Sequence, residues 1–412
     1  MKVAHVVHQF PPEFRGGTEA CVEGLAAAQR ARGDSVLVVA GSDVRSAAGE
    51  VLRETVDGTS VARVLRRPGE NYSMDWRLPR VAEQVVGLVR EFAPDIVHLH
   101  HGLNLSGDLA ARLSGAGLPV VATLHDFTLV CARFFLARPD GESCERHFPL
   151  PSERCVACVL PDFPAGEAAL REQTRARART AHEEAAALRL ALAPSEAVRA
   201  RWARSGLFVP GKLLVLPHPA PAPAAPPAPP RARDDGRLVL VTWGHLAPAK
   251  GVLDVLGAMR LAHDPRLALL VLGEPVDAAH AEELLDAAEG LDVEFRGRYV
   301  AADLPALRGA ADLAVFMSRA EETFGLVVAE ARALGFPVLV SDRGALPERV
   351  GVAGAVLPAA DPPALAHLLA ALLRDPSPLA RWAAAPRDDL ATPAAHAARV
   401  ADVYDRARHL PP

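Results

Sequence analysis

The sequence predicts an α/β protein with two domains, each built around a parallel sheet. Strand-like and helix-like patterns alternate from the first residues, through KVAHVV, a helical GGTEACVEGLAAAQRARG and SVLVVAG. This alternation is typical of strand–helix–strand units. A second alternating series begins at RLVLVTWG, and the length of 412 residues exceeds what one hydrophobic core usually organises.

A proline-rich segment at residues 217–236 predicts where the domains meet. Its sequence, PHPAPAPAAPPAPPRARDDG, suits a stiff polyproline linker and neither a helix nor a central strand. We therefore assign residues 1–216 to an N-terminal Rossmann-like domain that includes a Cys-rich loop at 131–158. Residues 237–378 form a C-terminal Rossmann-like domain, and residues 379–412 are expected to be helices that pack back toward the N-terminal domain.

Composition narrows the class of protein. The longest apolar runs, such as LALLVLG, are strand-sized and too short to span a bilayer. The N-terminal MKVAHVVHQF is interrupted by His5, His8 and Gln9, which suits a buried strand better than a secretory signal. The net charge of −5 argues against a general nucleic-acid binder. The sequence therefore predicts a cytoplasmic protein that meets any phosphate with a few local cations.

Two acids, Glu322 and Glu330, flank a Thr-Phe-Gly turn and an apolar run in the segment EETFGLVVAE. Glu322 could simply favour a helix N-terminus, and Glu330 could be ion-paired. A buried acid needs a partner, which could be an arginine or a ligand hydroxyl. Two acids suit the hydroxyls of a ribose or a sugar, and nearby helix amides suit a phosphate. Those amides belong to Thr323, Phe324, Gly325 and Leu326.

Two loops that follow the first strand of each domain are candidate anion sites. PEFRGGTE places Gly16 and Gly17 before a helix, where backbone amides can approach an anion, although an ordinary tight turn explains the pair equally well. GHLAPAKG places Lys250 before a helix. Its ammonium could clamp a diphosphate, or it could be a solvated surface residue.

Histidines gather where strands are predicted to end. His125 and Asp126 follow one strand, and the preceding strand ends in His98, His100 and His101. Lone histidines are more often structural than catalytic. His125 is a candidate because ligands of open α/β sheets bind beyond the carboxyl ends of strands.

Four of the five cysteines lie close together in the sequence: Cys131, Cys144, Cys155 and Cys158. A cytoplasmic chain rarely holds disulfides, and a long loop with few apolar residues needs another source of order. Four thiolates on one structural Zn²⁺ would supply it, with His147 able to replace one cysteine. Free thiols, or a redox pair of Cys155 and Cys158, are the alternatives.

Taken together, these motifs resemble the retaining, nucleotide-sugar-dependent glycosyltransferases of family 4. The similarity rests on the order and spacing of PEFRGGTE, DIVHLHH, TLHDF, GHLAPAKG, FRGRYV, AADLAVFMS and EETFGLVVAEARALGFPVLVSDRGALPE. It spans nearly the whole chain. The resemblance implies the GT-B fold, with two Rossmann-like domains whose parallel sheets face across a cleft. It also implies transfer of a sugar from an NDP-sugar to an acceptor hydroxyl, without a catalytic metal.

The resemblance further implies roles for single residues. Glu330 would bind the ribose hydroxyls, Glu322 the hydroxyls of the donor sugar, and Lys250 the diphosphate. His125 would contact the donor sugar, and the loop around Arg298 would flank the base. The amides that assist Lys250 would be those of Gly17, beside Gly16, and of Phe324, Gly325 and Leu326.

One position departs from the family pattern. Many members carry an arginine in Gly-Arg-Leu as a second cation for the diphosphate, and this chain has His245 there. A neutral imidazole carries no fixed charge, which predicts weaker donor binding unless Arg15 or Arg319 substitutes.

The sequence leaves the donor base, the donor sugar and the acceptor open; the acceptor could be a glycan, a lipid-linked molecule or a small molecule. A catalytically silent sugar-nucleotide-binding protein and a GT-B nucleotide-sugar epimerase are alternatives, and intact Lys250, Glu322 and Glu330 favour a transferase. The Arg-rich residues 171–179 would contact anionic lipid on the inner membrane face if the acceptor is membrane-borne. A solvated helix face is the other interpretation.

Overall fold

The computed structural model describes residues 1–139, 143–144, 153–163, 165–220 and 236–410. The chain divides into two compact units. The first unit comprises Met1–Pro139, Cys144–Pro219 and Pro393–Pro412, and the second comprises Asp140–Ser143 and Ala220–Thr392.

The first unit is built on a mixed sheet of eight strands. The strands are β1 (Lys2–Val7), β2 (Ser35–Arg45), β3 (Val51–Val56), β4 (Thr59–Arg66), β5 (Ile96–Leu99), β6 (Val120–Thr123), β7 (Leu190–Ala193) and β8 (Leu213–Val215). The helices between them are α1 (Gly17–Ala31), α2 (Pro79–Phe92), α3 (Leu109–Gly115), α4 (Glu153–Val159), α5 (Glu167–Ala187) and α6 (Glu196–Ala203). The strand order is β3-β4-β2-β1-β5-β6-β7-β8, and it reverses direction between β1 and β5.

The β3–β4 hairpin is the antiparallel part of this sheet. Its turn consists of Asp57 and Gly58, with φ of 45° and 77°. An Asp-Gly pair with positive φ at both positions is the preferred two-residue hairpin connection, because its twist matches that of the strands.

The second unit has a fully parallel sheet. Its strands are β9 (Leu238–Trp243), β10 (Leu267–Leu272), β11 (Val293–Gly297), β12 (Leu313–Phe316), β13 (Val338–Ser341) and β14 (Gly354–Leu357). Its helices are α7 (Val252–Ala262), α8 (Ala278–Ala288), α9 (Leu304–Leu307), α10 (Leu326–Ala333), α11 (Leu346–Val350), α12 (Pro362–Arg374) and α13 (Ser377–Ala383). The order is β11-β10-β9-β12-β13-β14, which reverses between β9 and β12. The predicted α/β class with parallel sheets is confirmed.

Burial explains the apolar run LVLVTW of β9. Every residue of this strand is buried. Leu238 and Leu240 belong to the apolar cluster on one face of the sheet, and Val239, Val241 and Trp243 belong to the cluster on the other face. A parallel strand covered by helices on both faces needs apolar side chains at every position, so the alternation of a half-exposed strand is lost.

The C-terminal prediction needs correction. The predicted block 379–412 is divided, because α13 belongs to the second unit. The last helix, α14 (Pro393–His409), belongs to the first. There Val400 and Tyr404 pack in an apolar cluster with Ile96 of β5 and Leu190 of β7. The units meet in sequence at Pro219/Ala220, and the greater part of the predicted linker lies outside the described residues.

The Arg-rich stretch lies on α5, and the expectation of a solvated face is wrong for one of its members. Arg177 is buried and donates hydrogen bonds to Tyr72 Oη at 3.0 Å and to the carbonyl oxygen of Met74 at 3.1 Å. Its guanidinium also lies 4.8 Å from the ring centroid of Trp76. Arg171 is paired with a glutamate of its own helix at 2.6 Å. In the part of the chain that the structure describes, no helix has the length and apolar character to cross a membrane.

Candidate active site

Lys250 lies at the switch point of the second sheet, where the carboxyl ends of β9 and β12 meet. It ends a short 3-10 turn, Pro248–Lys250, that precedes α7. The next residue, Gly251, has φ of 72°, and a Cβ there would lie 1.9 Å from the carbonyl oxygen of Met317 at the end of β12. Only glycine allows this close approach. The close contact between the loop after β9 and the end of β12 therefore fixes the backbone position of Lys250.

Glu322 is bound directly to Lys250. Lys250 Nζ lies 2.6 Å from Glu322 Oε1, and Ser318 Oγ donates to the same oxygen at 2.8 Å. The Lys250 side chain is 43% exposed and that of Glu322 is 18% exposed. Burial raises the pKa of Glu322, but the charge of Lys250 and these hydrogen bonds lower the pKa further, to below its ordinary value. Glu322 is therefore a carboxylate at neutral pH.

The backbone around Glu322 is braced by the Gly-x-x-Pro-Glu loop. Ala345 N donates to the Glu322 carbonyl oxygen at 2.8 Å. Gly344 has φ of 55°, and a Cβ there would lie 2.1 Å from that oxygen. Because α10 begins only at Leu326, with Gly325 as its N-cap, Glu322 lies outside the helix. The interpretation of Glu322 as a helix-capping acid is therefore wrong.

Glu330 lies on α10 and takes an unexpected partner. Trp243 Nε1, at the end of β9, donates to Glu330 Oε2 at 2.8 Å. Burial raises the pKa of Glu330 to about 7, while the hydrogen bond from Trp243 lowers it. Burial and then the charge of Glu330 also raise the pKa of Tyr299. Among the described residues, Glu330 is held by an indole and joins no ion pair. Among those residues no arginine pairs with Glu330, and recognition of a ligand hydroxyl by this acid remains a prediction.

The turn before α10 contains a glycine with positive φ and a buried phenylalanine. Gly325 has φ of 77° and a Cβ there would meet Leu346 at 2.7 Å. Phe324 is buried in a small cluster with Ala220 and Ala329. The first amide groups of a helix have no partner within that helix, and α10 begins at Leu326, between Glu322 and Glu330 in the sequence.

The cations that could replace the missing arginine are engaged elsewhere. Arg319 is bound through two nitrogens to the buried Asp254, at 2.8 and 2.5 Å. Arg15, in the first unit, lies 2.9 Å from Glu23. His245 lies at the surface with its ring partly covered, and this partial burial, followed by the charge of Lys250, lowers its pKa. His245 is therefore neutral at pH 7, and Lys250 is the cation that contacts Glu322.

Arg298 stands on the surface beyond β11. Its guanidinium is 79% exposed and lies 2.8 Å from Glu274. Its contribution to a base-binding loop remains a prediction.

In the first unit, the N-terminus of α1 already contains a carboxylate. The amide of Gly16 donates to Glu19 Oε2 at 3.0 Å, and a Cβ on Gly16 would lie 2.9 Å from that oxygen. Glu19 is buried and its other oxygen lies 3.0 Å from His8 Nε2. Gly17 is exposed. The Gly16 amide is therefore bound by Glu19, and contact of Gly17 with an external anion remains a prediction.

His125 lies two residues beyond β6 and is buried. Its Nε2 is 3.0 Å from His100 Nδ1, and its ring stacks on His218 with centroids 4.9 Å apart. Burial and the neighbouring histidines hold its pKa well below the ordinary value, so the ring is neutral. His101 instead pairs with Asp126 at 2.8 Å. Of the predicted His-rich edge, His98, His100 and His125 are therefore in contact, and His101 lies apart from them.

Sequence reasoning missed the rest of that cluster. His5 of β1 contacts His100, and Tyr404 of α14 contacts His98 at 2.7 Å. The motif HVVH at the end of β1 was a signal for the first contact. Nothing local to α14 indicated the second.

No three of the four cysteines have sulfur atoms that all lie within 4.8 Å of one another, although Cys144 is close enough to affect the pKa of both Cys131 and Cys158. Among the described residues, groups of three or more potential ligands lying within 4.8 Å of one another are His5, His98 and His100, and Cys21, His125 and His218. Burial raises the pKa of Cys131 to about 11. His147 lies outside the described residues. The structural zinc remains a prediction.

Comparison with known proteins supplies the family. A family model described as Glycosyltransferase Family 4 matches residues 15–221, and one described as Glycosyl transferases group 1 matches residues 237–375. D-inositol 3-phosphate glycosyltransferase 1 of Catenulispora acidiphila is 31% identical over 360 residues, which cover 79% of this chain and 75% of that protein.

Two solved structures share the fold. Sucrose-phosphate synthase from Thermosynechococcus elongatus superposes with a TM-score of 0.70 at 19% identity, over 98% of this chain and 99% of that chain. HepE of Anabaena, in complex with UDP and glucose, has a TM-score of 0.68 at 19% identity, over 98% and 100% of the two chains. The resemblance predicted from the motifs is confirmed. The chain belongs to glycosyltransferase family 4, has the GT-B fold with two parallel-sheet α/β domains, and is a glycosyltransferase of the hexosyltransferase type.

Proposed function

We propose that this protein is a retaining glycosyltransferase that moves a sugar from an NDP-sugar to an acceptor hydroxyl, in glycan, glycolipid or natural-product biosynthesis. The observation that carries the proposal is the placement of Lys250, Glu322 and Glu330 together at the switch point of the second sheet. One fixed cation, one ionised acid and one acid bound by an indole suit a diphosphate flanked by two hydroxyl-bearing rings.

Donor binding would use the two acids differently. Glu322 is ionised before the donor arrives, because Lys250 lies 2.6 Å away. It can accept hydrogen bonds from sugar hydroxyls at once. Glu330, with a pKa of about 7, is only partly ionised at neutral pH. Ribose hydroxyls that donate to its carboxylate would favour the ionised form, so donor binding and loss of this proton are coupled.

Lys250 would stabilise the leaving group. As the bond from sugar to phosphate breaks, negative charge grows on the diphosphate, and a cation placed there beforehand stabilises the transition state more than the ground state. Glu322 holds the ammonium in position with one oxygen until the donor arrives. The amide donors at Leu326 and its neighbours would add to the same field.

The retaining outcome is also a proposal. The proposal uses no carboxylate of the described second unit as a covalent nucleophile. Glu322 Oε1 is already bound by Lys250 and Ser318. The acceptor hydroxyl would attack on the face that the diphosphate leaves, and a phosphate oxygen would take its proton. The roles of His125, Gly17 and Arg298 remain predictions, as do the cytoplasmic location and contact with anionic lipid.

Relatives suggest where to begin the search for substrates. The Anabaena neighbour was solved with UDP and with UDP-glucose, so UDP-sugars are the first donors to test. One relative is named a D-inositol 3-phosphate glycosyltransferase and another a phosphatidyl-myo-inositol mannosyltransferase. Inositol phosphates and phosphatidylinositol are therefore the first acceptors.

The test is chromatography of donor mixtures incubated with the purified protein, with and without acceptors. Release of an NDP, together with a product whose anomeric carbon keeps the configuration of the donor, supports the proposal. A product of inverted configuration contradicts the retaining mechanism. A protein that binds an NDP-sugar tightly and yields neither transfer nor hydrolysis with any acceptor contradicts the transfer. Arg266→Ala is the matched control for variants of Lys250, because it removes an exposed cation of the same unit whose ion-pair partner among the described residues is Asp264.

A further inference from the structure

Four arginines gather at the carboxyl edge of the first sheet, where β2 and β4 end. Arg45 is the last residue of β2 and Arg66 is the last residue of β4, and the two are register partners in neighbouring parallel strands. Arg67 follows directly, and Arg80 lies in the first turn of α2. We call these four residues the arginine cluster. Ligands of open α/β sheets bind at this edge.

Two carboxylates pair with the arginine cluster and leave two of its charges without an ion pair. Asp43 lies 3.2 Å from Arg66, and Glu70 accepts from Arg80 through both of its oxygens, at 2.7 and 2.5 Å. Among the described residues, the other two members of the cluster join no ion pair. The cluster is therefore a site of excess positive charge in a chain whose net charge is −5.

Arg45 is held in place by neutral groups. Its Nη1 donates to the carbonyl oxygens of Arg67 and Glu70 at 3.3 and 2.6 Å, and its Nη2 donates to Asn71 Oδ1 at 2.9 Å. A guanidinium has five N–H groups. These three hydrogen bonds leave two N–H groups, on Nε and Nη2, without a partner among the described residues, and Arg45 is exposed. The side chain is thus oriented without losing its charge, and two nitrogens remain for an anion.

Arg67 is the second exposed cation of the cluster. Its Nε and Nη2 donate to the carbonyl oxygen of Ala48 at 3.4 and 3.2 Å, and its Nη1 makes no hydrogen bond to the part of the chain that the structure describes. Arg66 is buried, and this burial, followed by the charge of Arg45, lowers its pKa. Cations this close repel one another, and a bound anion would remove the repulsion.

Asp43 connects the arginine cluster to the other strand ends of the sheet. Besides Arg66, it accepts from Gln9, which follows β1, and from Asn104, which follows β5, at 3.2 Å. This network runs along the carboxyl edge from β4 across β2 and β1 to β5. The cluster is therefore continuous with the edge at which β5 and β6 place His100 and His125.

We propose that the arginine cluster binds a phosphate group of the acceptor. Two exposed guanidinium groups without a carboxylate partner suit a phosphate, whose several oxygens match the planar fork of arginine. Assigning the phosphate to the acceptor rests on the proposed function, in which Lys250 of the second unit binds the donor diphosphate. The acceptor is then a phosphate ester, either a soluble molecule or a lipid headgroup, since both present the same group.

The direct test is ¹⁵N NMR of the arginine side chains in the full chain, titrated with inorganic phosphate at constant ionic strength. Arg45→Gln assigns the Arg45 Nε signal. We expect this signal to shift with phosphate and to stay in place with chloride. Because the signal is specific to Arg45, phosphate that binds near Lys250 does not interfere. An Arg45 signal that millimolar phosphate leaves unchanged overturns the proposal.

Arg67→Gln is the decisive variant, because among the described residues its side chain donates only to the carbonyl of Ala48 and the contacts of Arg45 are kept. It should weaken phosphate binding at least about tenfold, the effect of one hydrogen bond to a charged group. Arg53→Gln is the matched control, since Arg53 is exposed on β3 and paired with Glu91 at 2.6 Å. Wild-type affinity in Arg67→Gln, or equal losses in both variants, contradicts the proposal.

Vesicles distinguish the two sources of the phosphate. Binding to phosphatidylcholine vesicles that contain phosphatidylinositol, lost in Arg67→Gln and kept in Arg53→Gln, assigns the phosphate to a lipid headgroup. Binding of inorganic phosphate at Arg45 without binding to these vesicles assigns it to a soluble acceptor.

Turnover separates this inference from the proposed function. With a phosphorylated acceptor, Arg67→Gln should raise the KM of the acceptor at least about tenfold, while the KM of the donor stays close to that of the wild type. A protein that binds phosphate at Arg45 and transfers no sugar would overturn the proposed function and leave the site intact. An active transferase whose acceptor KM is unchanged in Arg67→Gln would overturn the role of the cluster in acceptor binding.

Discussion

The two units treat polar groups differently at the switch points of their sheets. In the second unit, Lys250 and Glu322 keep their charges by pairing with each other close to solvent, where the lysine side chain is 43% exposed. In the first unit, His98 and His100 are fully enclosed and lose their charge instead, because burial lowers their pKa values. Burying a charge costs several kcal/mol unless it is paired, so exposure decides which solution is used.

The difference separates two kinds of function. A fixed charge near solvent can bind a charged ligand and respond to the charge that develops during a reaction. A neutral, hydrogen-bonded network cannot supply charge, but it can hold its side chains in place. Perturbing each region should therefore produce a different kind of defect.

Loss of the fixed cation should have the largest effect. Lys250→Ala should lower kcat by about 10²- to 10³-fold, the range seen when one preorganised donor to a developing anion is removed. The KM of the donor should change less, because charge grows in the transition state. Steady-state kinetics of NDP release measure both parameters. A variant with unchanged kcat and raised KM would mean that Lys250 only holds the substrate.

Glu330 should make the stability of the second unit depend on pH. Its pKa is raised from an ordinary value of 4.5 to about 7, so the folded state binds this proton more tightly than the unfolded state. The stabilisation is complete below about pH 4.5 and is lost as the pH rises to about 7, by at most about 3 kcal/mol. Denaturant unfolding of wild type and Glu330→Gln at several pH values measures the difference.

Glu330→Gln is the control for the wild type, because all other titrating groups are common to both proteins. The stability of wild type relative to Glu330→Gln should fall across this window. Parallel curves would show that Glu330 does not titrate there. The buried histidines of the first unit also make stability depend on pH, because they stay neutral in the folded state and take up protons in the unfolded state below about pH 6.5. Their contribution rises with pH, is the same in both proteins and therefore cancels in the difference.

Truncation of Glu330 should weaken donor binding. Glu330→Ala should raise the KM of the donor by an amount equivalent to about 1.5–3 kcal/mol for each hydrogen bond to the carboxylate. Glu330→Gln should be milder, because an amide oxygen still accepts. Isothermal titration with the NDP alone isolates the ribose contribution. Wild-type affinity in Glu330→Ala would remove this residue from the site.

Metal removal should have the smallest effect on turnover. The proposed chemistry uses Lys250 and amides, so EDTA should leave NDP release unchanged, and abolished turnover with an intact fold would contradict a metal-free mechanism. Elemental analysis tests the predicted zinc separately. About one zinc per chain, lost in Cys155→Ser together with protease resistance of the Cys-rich loop, would support it. A metal-free protein with four titratable thiols would exclude it.

The sequence by itself determined the parts of this protein that depend on local pattern. Alternation of strand and helix indicated two α/β domains with largely parallel sheets, and the block from Glu322 to Glu330 indicated the two acids of the candidate site. These signals are local because propensity, periodicity and turn residues act over a few positions. Glycines such as Gly251 were visible as loop residues, although the contact that requires glycine there was not.

Only the tertiary structure decided which side chains are in contact. It placed Trp243 in contact with Glu330 and Asp254 in contact with Arg319. It also buried Arg177, which lies on a helix whose composition suggested exposure to solvent. It also returned α14 to the first unit, where Tyr404 joins a strand residue 306 positions away. Such pairings arise because a buried polar group must find a partner in space, and separation along the chain places no limit on where that partner comes from.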